Sequence, residues 1–167
     1  PTVNGATPVV VKDHFFLSSS YRIGSVWADL TGSDVKRRGE SLLATQYATP
    51  IVKDGLLYAI DGRQDGGDAL VKCIDPVAGE VVWEKGGFEY GSMIGVGNEL
   101  LFLTCGGELI RMGASNRGYR EISRSTVLDP TPRGHRLPAL SNGRLYVRDD
   151  DNLRCLQVGE IRDSEVP

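Results

Sequence analysis

Three observations predict an all-β chain built from a repeated four-stranded unit. Glycine is frequent, at 21 of 167 residues, whereas aromatic residues make up only 7 %, a balance that suits many turns between short strands. The pairs Asp54-Gly55 and Asn142-Gly143 sit between apolar segments, where they supply the positive φ angles of a tight hairpin. Similar turns recur at intervals in the low forties, the period of a β-propeller blade.

The repeat is clearest in Val52-Lys53-Asp54-Gly55-Leu56-Leu57-Tyr58 and Leu140-Ser141-Asn142-Gly143-Arg144-Leu145-Tyr146. Weaker copies are Val11 to Leu17 and Val96 to Phe102. Aligned on Asp13, Asp54, Asn98 and Asn142, the copies are separated by 41, 44 and 44 residues. A second marker precedes each turn: Ala6-Thr7-Pro8, Ala48-Thr49-Pro50, Ser92-Met93-Ile94 and Leu137-Pro138-Ala139. Proline is tolerated at the first residue of a strand because no ladder donor is lost there. In the best-preserved unit, strands are expected at roughly 48–53, 56–61, 69–75 and 80–85, joined by tight turns into an antiparallel meander. A sandwich of unrelated hairpins is the alternative, but it does not account for matched turns at matched intervals.

The units divide the chain into blades at about 6–45, 46–91, 92–136 and 137–158, with a polar tail at 159–167. The fourth unit lacks an outer strand. About three and a half to four blades are therefore expected, as the C-terminal portion of a six- to eight-bladed ring, with a compact four-bladed ring as the alternative. A partial ring exposes the apolar faces of its first and last blades, so self-association, or pairing with the remaining blades, is expected.

A net charge of −3 gives no electrostatic reason to expect nucleic acid or an anionic membrane as partner. No apolar stretch approaches the roughly 18 residues of a membrane-spanning helix. Cys73, Cys105 and Cys155 are too widely spaced for a disulfide framework or a zinc pattern. Cys73 and Cys155 fall at matching blade positions, which reads as packing.

The segment Cys73-Ile74-Asp75-Pro76-Val77-Ala78-Gly79-Glu80-Val81-Val82-Trp83 resembles the tryptophan-docking motif of propellers in the pyrroloquinoline quinone (PQQ) repeat family, Ala-x-Asp-x-x-Thr-Gly-x-x-x-Trp. Asp75, Gly79 and Trp83 match, whereas Cys73 and Ala78 replace alanine and threonine. In physical terms, Asp75 and Gly79 turn the chain and Trp83 packs on the neighbouring blade. The first unit keeps Thr31 and Gly32 but has Lys36 in place of the tryptophan, and the third has no tryptophan.

In such a propeller the segments before each first strand open onto the central channel. Tyr47, Tyr90 and His135, with Arg133 and Arg136 beside the histidine, form the candidate ligand-binding rim, able to stack on or hydrogen-bond a planar, sugar-like or anionic ligand. Asp61, Asp65 and Asp68 in a glycine-rich loop, with Asp149-Asp150-Asp151-Asn152 as its counterpart in the last blade, offer oxygen ligands of the kind calcium takes. Neither loop has EF-hand spacing, and solvated turn carboxylates are the competing explanation. No catalytic constellation is visible.

The resemblance implies a non-catalytic, cofactor-free scaffold that binds a protein partner, periplasmic or otherwise exported, similar to the outer-membrane assembly propellers of the bacterial envelope. Its alternative is part of a quinoprotein alcohol dehydrogenase of the polyvinyl alcohol type, holding PQQ and calcium on the channel axis. The chain has neither an adjacent cysteine pair nor a Cys-x-x-Cys-His haem site.

Overall fold

The computed structural model describes residues 3–39, 41–130 and 137–160. Within them, strands follow one another as antiparallel meanders in four sheets. Blade one holds β1 (Val9–Val11), β2 (His14–Ser19), β3 (Gly24–Asp29) and β4 (Val35–Gly39). Blade two holds β5 (Ile51–Lys53), β6 (Leu56–Asp61), β7 (Asp68–Asp75) and β8 (Glu80–Glu89). Blade three holds β9 (Gly91–Val96), β10 (Glu99–Thr104), β11 (Glu108–Gly113) and β12 (Glu121–Thr126). Blade four has three described strands, β13 (Ala139–Ser141), β14 (Arg144–Arg148) and β15 (Leu153–Gln157). The innermost strands β1, β5 and β9 lie side by side.

In blade two the expected strands differ at their ends. β5 begins only after Pro50, which has no N–H for the ladder. β8 continues to Glu89 because its pairing with β7 shifts register twice, between Ala69 and Val71 and between Cys73 and Ile74. Such bulges bend an outer strand while keeping it paired.

Each first hairpin closes over two residues: Lys12-Asp13, Asp54-Gly55, Gly97-Asn98 and Asn142-Gly143. Both turn residues have positive φ in blade two (51° and 79°) and blade four (46° and 72°), as a type I′ turn requires. In blades one and three only the first residue does, Lys12 and Gly97, each at 57°. Asp13 and Asn98 thus hold the second turn position, whereas Asp54 and Asn142 hold the first. Alignment on side-chain type is one residue out in those two units, and the ladder gives the true equivalence.

That equivalence explains the apolar runs. Because a blade is covered on both sides, both faces of its central strands are buried and alternation gives way to runs such as Leu56 to Ile60 and Leu100 to Leu103. Tyr58, Ile60 and Cys73 face Met93, Phe102 and Met112 of blade three. Leu57, Ala59 and Ile74 face Phe16 and Trp27 of blade one. Leu101 and Leu103 face Leu145 and Val147 of blade four.

The Asp75 to Trp83 segment makes a joint between blades. Asp75 Oδ1 accepts hydrogen bonds from the N–H groups of Val77 (2.9 Å) and Ala78 (3.0 Å), and the Gly79 N–H donates to the Asp75 carbonyl (2.9 Å). Gly79 has φ 75°, and a Cβ there would lie 2.5 Å from the guanidinium carbon of Arg38. Trp83 Nε1–H donates to the Ser115 carbonyl of blade three at 2.7 Å. Its ring tilts against Tyr58 and meets Tyr119 edge-on, with centroids 6.3 and 6.4 Å away.

Burial pushes the Cys73 thiol up to about 11. Cys155 pairs with Tyr146 as Cys73 pairs with Tyr58, yet it is exposed, since no described sheet follows blade four. The expectation that both sulfurs pack inside is met only by Cys73.

Trp83→Ala is expected to cost about 3 kcal/mol, the lower end for a large aromatic because the ring is only half-buried. Trp83→Phe keeps the ring and gives up the hydrogen bond, worth about 1 kcal/mol. Urea unfolding of both variants checks this; equal losses would contradict the assigned roles. Alkylation at neutral pH should modify Cys155 and spare Cys73 until the protein unfolds. The folded state holds the Cys73 proton more tightly, so stability should fall as pH rises from about 9 to about 11, read by unfolding across that range.

Candidate functional site

Opposite the hairpin turns, the strand ends carry the β2–β3 and β6–β7 loops and the connections between blades. Gln46, buried in the connection from blade one to blade two, ties several of these together. Its Nε2 donates to the Tyr21 hydroxyl (2.7 Å) and the Val3 carbonyl (3.4 Å), and its Oε1 accepts from the Gln64 N–H (3.0 Å). Its own carbonyl accepts from the Gly5 N–H at 2.7 Å. Arg63 lays its guanidinium over the Tyr21 ring, 4.8 Å from the centroid, while pairing with Asp65 at 3.3 Å. Tyr21 and Arg22 hold positive φ angles of 57° and 65°, a costly conformation for residues with side chains. The result is a face built from two loops, a connection and the segment at Val3 to Pro8.

Tyr47 lies in this face, half-buried, its ring against Gly5. Tyr90 does not stand on the rim. It is 2 % exposed, and its hydroxyl sits beneath the connection, accepting from the N–H groups of Tyr47 (2.7 Å) and Ala48 (2.8 Å) and bonding Thr45 Oγ1 at 3.2 Å. Burial raises its ionisation above the ordinary tyrosine value. Tyr90 is the only residue between β8 and β9, so its side chain turns into the core instead of toward the channel. Arg133, His135 and Arg136 lie outside the described residues.

The three carboxylates of the acidic loop are not brought together. Asp61 pairs with the buried Lys72 and accepts from the Ala44 N–H (3.0 Å). Asp65 pairs with Arg63, and Asp68 opens β7 opposite Glu89. In the last blade, Asp149 Oδ1 accepts from the N–H groups of Asp151 (2.9 Å) and Asn152 (2.6 Å). Among the described residues, no three His, Cys, Asp or Glu side chains are placed to hold a metal ion.

Two organising residues escape a sequence reading. Lys72 is 3 % exposed; besides Asp61, its Nζ donates to the carbonyls of Ser41 (3.2 Å) and Leu42 (3.4 Å), fastening β7 to the connection. The signal is a single lysine inside the apolar run of β7. Gln46 carries no such signal, because a glutamine in a loop reads as solvated. What the face offers chemically is recognition: a tyrosine ring, a planar cation and hydrogen-bonding groups held in fixed relation.

No family model matches the sequence, and no curated protein matches it. Among solved structures, the chain is similar to BamB from Moraxella catarrhalis, with a TM-score of 0.62 and 18 % identity over 90 % of this chain and 41 % of that one. It is also similar to AztD from Citrobacter koseri, in two structures with TM-scores of 0.56 and 0.58, each 18 % identical, over 95 % and 97 % of this chain and 44 % and 45 % of the other. The fold is that of a β-propeller, and the chain spans less than half the length of these neighbours. Among the described residues there is no helix long and apolar enough to cross a membrane.

Tyr90→Phe should strand the Tyr47 and Ala48 amides beneath the connection, at about 1–3 kcal/mol for buried donors left without a partner. Urea unfolding reads the loss, and hydrogen exchange should quicken first at those two amides. Unchanged exchange would remove Tyr90 as the support of this face.

Proposed function

We propose that the chain is part of a PQQ-like repeat propeller that works without a cofactor as a binding or assembly scaffold, exported to the bacterial envelope, with a protein as partner. One observation carries it. The loop end of blades one and two converges on Gln46, and the polar groups behind it are tied to the fold, so that Tyr21, Tyr47 and Arg63 stand on a rigid base. Aromatic and arginine side chains on a fixed support are what protein interfaces use as energetic anchors, and a face ordered beforehand loses less freedom on binding. The likeness to BamB and AztD supports the propeller fold on which this reading rests.

The full-length protein, immobilised and exposed to the envelope fraction of its own cell, should retain a specific partner. The variant Tyr21→Ser with Tyr47→Ser and Arg63→Ser should lose it while melting within a few degrees of the parent. Recovery of the same partner by both would overturn the assignment of this face. Adding PQQ with calcium should produce neither quinone absorbance nor dye-linked alcohol oxidation. Either signal would replace the scaffold with the quinoprotein alternative.

A further inference from the structure

The blades are joined by a repeated device. In blade two, the carbonyl two residues beyond the end of the third strand belongs to Val77, and it accepts a hydrogen bond from Arg38 Nη2 of blade one's outer strand at 3.3 Å. In blade three the corresponding carbonyl belongs to Ser115, and it accepts from Trp83 of blade two's outer strand. In blade four the corresponding residue is Gly159. Its equivalence to Ser115 is fixed by the ladder: Ala114 N–H donates to Asn98 O and Val158 N–H donates to Gly143 O, both at 2.9 Å.

Among the described residues the third joint lacks the donor. Pairing with Arg111 puts Ser123 where pairing with Cys73 puts Trp83, and the next residue on that face is Ser125. Arg124 points to the other side, over Phe88 and onto Glu108 and Glu121. Among the described residues no β12 side chain reaches the Gly159 carbonyl. Against Gly159, and against Leu101, the counterpart of the Tyr58 that Trp83 packs on, lies a cavity of about 380 Å³ between blades three and four. Leu101, Leu140, Val158 and Gly159 are among its walls. A second hollow of about 250 Å³, reaching Ser123 and Ser125, adjoins it at Leu101, Arg111 and Val158. The larger falls within the roughly 300–1,000 Å³ of small-ligand sites.

We propose that this inter-blade slot binds a tryptophan side chain presented by an extended segment of a partner chain. The molecule carries the template one joint earlier, where an indole packs on Tyr58, the counterpart of Leu101, and meets the carbonyl equivalent to that of Gly159. A guanidinium, the occupant at the first joint, would meet Arg111 already in the slot, held by Glu99. For an indole, that arginine is a favourable neighbour. The slot lies at the opposite strand ends from the Gln46 face, so it stands or falls independently of the function proposed above.

The full-length protein is titrated with N-acetyltryptophanamide and with a Gly-Gly-Trp-Gly-Gly peptide, followed by ligand-observed NMR and calorimetry. Both should bind at sub-millimolar to low-millimolar concentration, the peptide at least as tightly, and the phenylalanine peptide several-fold more weakly. Ser123→Trp should fill the slot from within, raising the melting temperature and abolishing binding. Leu140→Glu, a change at an exposed wall residue, should weaken binding at least tenfold with the fold retained, and serves if Ser123→Trp does not fold. No binding at ten millimolar overturns the proposal. So does binding that survives both variants, or binding of the amide without the peptide.

Discussion

The carbonyls that follow the third strands of blades two and three are the points on which the assembly turns. A sheet edge leaves its backbone groups without partners, and consecutive blades share no ladder, so something other than strand pairing must fix one blade against the next. Packing of apolar faces supplies most of the attraction, but it tolerates sliding. A directional hydrogen bond from an outer-strand side chain to one backbone oxygen sets the relative position. Arg38 and Trp83 perform this with different chemistry on equivalent carbonyls. Gly79 matters for the same reason, because any side chain there would displace the guanidinium lying against it.

At the other strand ends the problem is different. The connection from blade one to blade two runs beneath the surface, and its amides need acceptors that a helix or sheet would normally provide. Tyr90 reaches in from the end of β8 to serve two of them, Gln46 accepts from the Gln64 amide of the β6–β7 loop, and Lys72 pairs with Asp61 while holding the carbonyls of Ser41 and Leu42. Buried charge of this kind is weak evidence of stability, since a matched apolar pair can do as well. It does fix geometry, which the recognition proposed for this face needs more than it needs stability.

The strands and the meander were legible because both rest on local chemistry: positive-φ turn pairs, a proline before β5 and apolar runs of strand length. The Asp75 to Trp83 segment was legible because Asp75 and Gly79 act within one turn and Trp83 follows at a fixed spacing, although the carbonyl it meets is 32 residues away. Positions decided by distant partners were not. Tyr90 looks like a rim residue until the single-residue link between β8 and β9 turns it inward. Asp61 looks like a metal ligand until Lys72, on the next strand, is seen to claim it. Arg38 gave no sign of its role, since it stands two residues beyond Lys36, the position matching Trp83, and acts on a carbonyl 39 residues away. The one-residue offset at Asp13 and Asn98 has the same origin, because a type I′ turn and a turn with one positive φ place aspartate or asparagine differently while closing the same ladder.

The serines that β12 turns toward blade four also bear on how the molecule comes apart. A repeat array is as cooperative as its neighbour couplings, and here they are unequal. Blades one to three are clamped by two directional bonds and by clusters centred on Trp27 and Phe102. Among the described residues blade four has no such bond from an outer-strand side chain; apolar contact holds it, with the Asp149 carboxylate accepting from the Asp129 N–H of the incoming connection. The joint between blades three and four is therefore the weakest of the three couplings described, and on heating the last blade is expected to loosen before the other three. An indole bound in the slot, as proposed above, would supply the coupling that β12 does not, and so set how long the last blade stays shut.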